Sequence, residues 1–279
     1  MAGLPAHRLR WRLSDPSGIE RWTERRLALD GGYWLFVLGI NNSGTTILAE
    51  LLCSHPEIRS LPGEGQYLTR ALPAPLRLGV PRLWTERLDA FRWTETSEAG
   101  LASRVRYDWS HFAERGSGIL LEKSPPNTVR ARWLQEHFRP SRFVALVRHP
   151  YPVCEGIRRR TGCTIREAAR HWVRGNEILL EDLDRLHRSL WLTYEELTDQ
   201  PEEQLERLEA FLELRTLFDR RVLDEPIRSH NIYGEPQPLQ NMNARSLEHL
   251  SPEDAEAIDG IARALMQRLG YESSLCSQT

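Results

Sequence analysis

Four short runs of mostly apolar residues stand out along the chain: Trp34–Leu38, Ile119–Glu122, Phe143–Val147 and Leu190–Thr193. Each is continuous rather than alternating and is bounded by polar residues, Gly or Pro, the pattern of a strand buried on both faces. Apolar positions at helical spacing fill the stretches between and after them. They predict helices at Thr45–Leu52, Thr128–His137, Pro152–Arg160, Ile165–Leu186, Pro201–Leu212 and Pro252–Leu269. Ser251 precedes the last of these with Asp254 at capping-box spacing, and Pro201 and Pro252 take first-turn positions. Strands alternating with helices predict an α/β fold with a central parallel sheet of about four to five strands between helical layers. A single domain spanning 1–279 is expected.

Two stretches break the alternation. Residues 71–117 carry Pro73, Pro75, Pro81, Trp84, Phe91, Trp93, Tyr107, Trp109 and Phe112 and read as an aromatic, partly helical insert with the makings of an apolar acceptor pocket or of core. Residues 225–246 are rich in Pro, Asn and Gly and read as a long loop, a length that in compact domains usually serves function.

Charge removes several function classes. The 37 basic residues stand against 39 acidic ones, a net charge of −2, with no basic excess for nucleic acid or for an anionic membrane. The longest apolar run, Tyr33 to Ile40, falls far short of the roughly 20 residues of a membrane helix. The arginine-rich start is interrupted by Asp15, Glu20 and Glu24 and has no apolar signal core, so a cytoplasmic location is expected. The four cysteines, Cys53, Cys154, Cys163 and Cys276, show no CxxC spacing, which suits a reduced compartment. Together with the nine histidines they form no ligand-spaced cluster, and no metal site is expected. All but one of the 37 basic residues are arginine. The exception is Lys123.

The most informative stretch follows the first predicted strand. Gly39-Ile40-Asn41-Asn42-Ser43-Gly44-Thr45-Thr46 has the G-x-x-x-x-G-T-T spacing of a phosphate loop between a strand and a helix. There, backbone N–H groups and a helix N-terminus wrap an anion, and Ser43, Thr45 and Thr46 add hydroxyl donors. A three-layer P-loop-like fold follows. The lysine that would neutralise a triphosphate is Thr45, which argues against ATP or GTP hydrolysis.

GINNSGTTIL, then HPEIRSLPGEGQ, EKSPPN and FVALVRHPYPVCEGIRRR, resemble the sulfotransferases that use 3′-phosphoadenosine 5′-phosphosulfate (PAPS) and release 3′-phosphoadenosine 5′-phosphate (PAP). The likeness runs from about Trp34 to Leu197 and is strongest to bacterial members and to the tyrosyl-protein branch. It implies in-line transfer of a sulfuryl group to a hydroxyl of a small molecule, carbohydrate or peptide. Asn41, Asn42, Ser43, Gly44, Thr45 and Thr46 are then the phosphate cradle. Glu64, on the Leu61–Gly65 turn, matches the branch's general base, with His55 as the rival. Lys123, after the second strand, matches a lysine at the leaving oxygen. Arg148, ending the third strand, matches the grip on the 3′-phosphate.

Two positions depart from the family. Relatives usually carry Arg or Lys immediately before Ser-Gly-Thr-Thr, where this chain has Asn42; the serine expected eight residues after Arg148 is Gly156, and Arg160 is the residue that could compensate. Tyr194, in a strand-end Tyr-Glu-Glu-Leu, packs at the nucleotide or serves structure. Arg245, in the long loop, is a candidate nucleotide contact. Two other classes stay open on the residues alone: a non-catalytic or degenerate nucleotide-binding P-loop protein, favoured by Asn42 and Gly156, and an atypical P-loop kinase.

Overall fold

The computed structural model describes residues 32–113, 118–232 and 235–273, with Glu20, Thr23 and Leu27 before them. All four apolar runs are strands. They form β1 (Trp34–Leu38), β3 (Ile119–Lys123), β4 (Ser141–Val147) and β5 (Ser189–Thr193), and a short β2 (Ile58–Ser60) joins them. The sheet is parallel throughout with order β2-β3-β1-β4-β5. The three-layer α/β expectation therefore holds, with five strands.

β1 shows why the sheet is central. Its side chains alternate between faces, and both faces are covered. Trp34, Phe36 and Leu38 enter one core with Trp109, Trp133 and Phe138, while Leu35 and Val37 enter the other with Leu48, Leu51 and Leu205. Burying each such side chain stabilises the fold by roughly 1.5–3 kcal/mol, so a polar residue at any of them would be costly.

The longer helices are α1 (Thr45–Cys53), α2 (Ala99–Ser110), α3 (Ala131–His137), α4 (Pro150–Thr161), α5 (Ile165–Leu183), α6 (Tyr194–Asp199), α7 (Pro201–Leu212) and α8 (Pro252–Arg268). The capping box at Ser251 and Asp254 is present, and Thr164 with Glu167 forms a second at the start of α5. The helix predicted from Thr128 starts later, because Pro125–Val129 is a 3₁₀ turn and Arg130 leaves helical space (φ −133°, ψ 22°). No helix among the described residues is long and apolar enough to cross a membrane.

Of the two irregular stretches, 71–117 takes one of the two readings left open for it, and 225–246 differs from expectation. In 71–117, of which 114–117 lie outside the described residues, Trp84, Phe91, Trp93 and Trp109 are buried. They fill the core, so no apolar acceptor pocket is built from them. The 225–246 stretch, apart from Tyr233 and Gly234 outside the described residues, is not an open loop. It forms an antiparallel pair, β6 (Ile227–Ile232) and β7 (Glu235–Gln237), followed by a short helix, Asn243–Leu247.

The insert is locked to α5 by His171. Its Nδ1 lies 2.7 Å from Thr85 Oγ1, and its ring meets Trp84 edge-on with centroids 4.8 Å apart. Burial pulls the imidazole down to about 3. The unfolded chain takes up this proton near pH 6.5, whereas the folded chain refuses it until far lower pH, so stability rises with pH across that window. Below pH 6.5 the expected loss is about 1.4 kcal/mol per pH unit from this one group. Thermal melts at pH 7 and pH 5 should show a smaller drop for His171→Asn than for the wild type; equal drops would remove His171 as the cause.

Candidate active site

The phosphate loop leaves the sheet where strand connections diverge. From β1 the chain runs to α1 and β2 on one side, and from β4 it runs to α4, α5 and β5 on the other, so a crevice opens at the carboxyl ends of β1 and β4. Gly39 N donates to Thr128 Oγ1 at 2.9 Å, tying the loop's first residue to the turn after β3. Gly44 is left-handed (φ 95°), and a Cβ there would lie 2.7 Å from Tyr194 Cδ2. Only glycine lets the tyrosine ring sit against the loop. Thr45 then begins α1, whose N-terminus carries the partial positive charge of exposed N–H groups. Ser43 Oγ is buried with no hydrogen-bond partner among the described residues.

Both loop asparagines are held by the insert. Trp84 Nε1 donates to Asn41 Oδ1 at 2.8 Å, and Arg82 Nη1 donates to Asn42 Oδ1 at 2.8 Å. Asn42 is left-handed (φ 69°), a conformation that Asn tolerates better than most side chains. A Cβ on Gly156 would lie 2.0 Å from Asn42 Nδ2. The two departures from the family pattern are thus one arrangement, with the carboxamide filling the space a side chain at 156 would need.

β3 supplies the next pair. Successive residues face opposite ways, so Glu122 turns inward and Lys123 turns into the cleft. Glu122, 1% exposed, accepts from Gly65 N at 2.8 Å and from the side chains of Ser124 and Asn127. Burial raises its carboxyl above the usual carboxylate range, and burial pulls the neighbouring Arg130 guanidinium down to about 10. This network pins the turn that carries Glu64. Glu64 Oε1 then receives Lys123 Nζ at 3.1 Å, and Oε2 receives Gln66 Nε2 at 2.6 Å.

At the end of β4, Arg148 lies with its guanidinium carbon 3.9 Å from the Tyr194 ring centroid, a cation–π contact. Its Nε donates to Asn243 Oδ1 at 2.8 Å and its Nη1 to Asn42 O at 3.2 Å. Glu195 completes the fixture, accepting from Asn243 Nδ2 at 2.7 Å and Tyr271 Oη at 3.0 Å. Burial lowers the guanidinium from its ordinary value, and an arriving phosphate would relieve that cost.

These groups converge on one cleft of about 750 Å³, within the usual size range for small-molecule sites. It is lined by Asn41, Asn42, Gly44, Thr45, Thr46, Glu64, Lys123, Arg148, Gly156, Arg160, Tyr194 and Arg245. Among the sequence candidates, the structure leaves two off this lining. Ser43 lies beneath the loop surface. His55 is buried, with Nε2 3.0 Å from Thr216 O and its ring against Phe218, and it faces away from the cleft. Sequence reasoning missed Arg82, Glu155, Met242 and Ser246, which also line the cleft. Arg82 stands in an insert without a motif, and no local signal marks it.

The sulfotransferase family profile matches residues 35–219, from β1 past α7 and including the loop, Glu64, Lys123 and Arg148. The chain belongs to the sulfotransferase family. Its chemistry is sulfuryl transfer. It is 25% identical over 274 residues to protein-tyrosine sulfotransferase A of Caenorhabditis elegans, covering 87% of this chain and 70% of that protein. It is 24% identical over 297 residues to nodulation protein NoeE of Sinorhizobium fredii, covering 86% of this chain and 66% of that protein. In fold, this sulfotransferase is similar to the sulfotransferase domain of the Synechococcus PCC 7002 olefin synthase (TM-score 0.54, 20% identity, 83% of this chain and 95% of that one). It is similarly close to the sulfotransferase domain of the curacin biosynthetic pathway (TM-score 0.52, 19% identity, 86% and 98%).

Proposed function

We propose that this sulfotransferase moves the sulfuryl group of PAPS to an acceptor hydroxyl, with Glu64 as general base. The observation that carries the reading is the 3.1 Å contact between Lys123 Nζ and Glu64 Oε1 beside the phosphate loop. A base and a cation meet where sulfur would sit. The donor fits the residues present. Lys123, Arg82, Arg148 and Arg160 outnumber the cleft acids Glu64 and Glu155.

PAPS supplies an activated sulfuryl group. Glu64 takes the hydroxyl proton as the acceptor oxygen bonds to sulfur. The bond from sulfur to the bridging oxygen breaks, its electron pair stays on the 5′-phosphate of PAP, and Lys123 stabilises the charge gathering there. Arg148 holds the 3′-phosphate, with Tyr194 stacked on its guanidinium and Arg245 in the lining of the same cleft. The relatives named above include a protein-tyrosine sulfotransferase, and a peptide hydroxyl stands with small-molecule and carbohydrate hydroxyls among the acceptors to assay.

Arg148→Ala is expected to weaken PAP binding by about tenfold or more, since a charged hydrogen bond is worth roughly 1.5–3 kcal/mol. Adenosine 5′-phosphosulfate, which lacks the 3′-phosphate, should bind this variant almost as well as it binds the wild type. Calorimetry with both ligands tests the assignment, and equal losses would sink it.

A further inference from the structure

Arg82 is a cation held by a neutral partner. It lies in the insert, lines the cleft, and sits in the left-handed region (φ 66°). Its Nη1 donates to the Asn42 carboxamide at 2.8 Å, and it forms no ion pair among the described residues. The acid that most offsets it is Glu64, which already carries Lys123 on one oxygen and Gln66 on the other. Burial and the nearby Arg160 both push its guanidinium below the ordinary value. Arg159 also adds positive charge, although it is paired with Glu155 at 2.7 Å. A half-buried guanidinium beside a second cation, with only an amide to satisfy it, is a place for an anion.

Its position says which anion. Two arginines bracket Asn42: Arg148 at its backbone oxygen, Arg82 at its side-chain oxygen. The groups felt by Arg148 are Tyr194, Glu195 and Tyr271, on the nucleotide side, and then Glu155. The carboxylate and the phenol felt by Arg82 are Glu64 and Tyr67, on the side of the base, together with the cations Arg160 and Arg159 of α4. Arg82 therefore stands at the reacting end.

We propose that Arg82 is the cation that binds the sulfuryl group of the donor, carried in by the insert and aimed by Asn42, because the phosphate loop itself bears no charge at that point. The assignment rests on the PAPS reading above. In the transfer, the acceptor oxygen bonds to sulfur, the sulfur–oxygen bond to the 5′-phosphate breaks, the proton goes to Glu64, and the electron pair goes to the phosphate oxygen beside Lys123. Arg82 exchanges no proton and no electrons. It offers N–H donors to the outer oxygens of the group in flight.

The test needs no acceptor. The full chain and two variants, Arg82→Met and Arg82→Lys, are titrated calorimetrically with PAPS and with PAP, and melted to check folding. Arg82→Met should lose about tenfold or more in affinity for PAPS, the scale of one charged contact, and less than about threefold for PAP. Arg82→Lys should retain more PAPS affinity than Arg82→Met. Equal losses for PAPS and PAP, or no loss for either, would overturn the assignment of Arg82 while leaving the donor reading intact. A wild-type chain that binds neither ligand takes down the donor reading and this one with it.

Discussion

Glu64→Gln is expected to lower kcat by about 10²–10⁴, the usual share of a general base, with PAP affinity unchanged. The amide keeps the shape of the carboxylate and one oxygen for Lys123, but it cannot accept the acceptor's proton. The surroundings of the side chain suit the proposed role. It is one-quarter exposed on a turn, its backbone neighbour Gly65 is anchored on buried Glu122, and both carboxylate oxygens are aimed by Lys123 and Gln66. His55→Ala is the matched control. Its ring packs on Phe218 and bonds the Thr216 carbonyl, so that variant should lose stability and retain turnover. Steady-state rates at saturating donor decide the matter. A folded His55→Ala enzyme without activity, or a Glu64→Gln enzyme within a few-fold of wild type, would move the base elsewhere.

Lys123→Met should cost about 10²–10³ in kcat, the effect of removing one donor from a developing oxyanion. Lys123→Arg is the sharper variant, because the chain writes every other basic position as arginine. A surface lysine would tolerate the exchange. Lys123 is instead buried at 9% exposure at the last residue of β3, level with Val37 of β1 and in contact with Glu64. A planar guanidinium is larger than an ammonium and cannot place a single donor on the bridging oxygen in the same way. Loss of at least about tenfold is expected, in kcat more than in KM, because the charge it answers appears only in the transition state. A fully active Lys123→Arg enzyme would leave arginines as the cations of the reaction.

The central strands were legible because burial on both faces leaves an unbroken apolar run. β2 was not, because it spans three residues, and only Ile58 of them is buried. α6 was hidden for a similar reason, being six residues abutting β5. The loop, Glu64, Lys123 and Arg148 were legible because each sits at a strand end or turn whose spacing is local in sequence. Arg82 was not, since what makes it part of the cleft is an approach across 40 residues to Asn42. The insert's tryptophans were legible as apolar mass but not as core, which only the packing of Trp84, Phe91 and Trp109 beneath the sheet decides. Asn42 and Gly156 each read as a loss, because a sequence shows two changed letters and not the shared volume between them.

That shared volume couples position 156 to a residue on another element. A Cβ at 156 would come within 2.0 Å of the Asn42 amide nitrogen. The atom in the way is the far end of a flexible side chain, so a residue at 156 would turn the carboxamide aside and leave the backbone of the phosphate loop in place. The cost would fall on what that amide does where it lies, which is to hold the Arg82 guanidinium. Position 156 on α4 thus reaches the insert by relay, and Gly156→Ala should loosen Arg82 through Asn42.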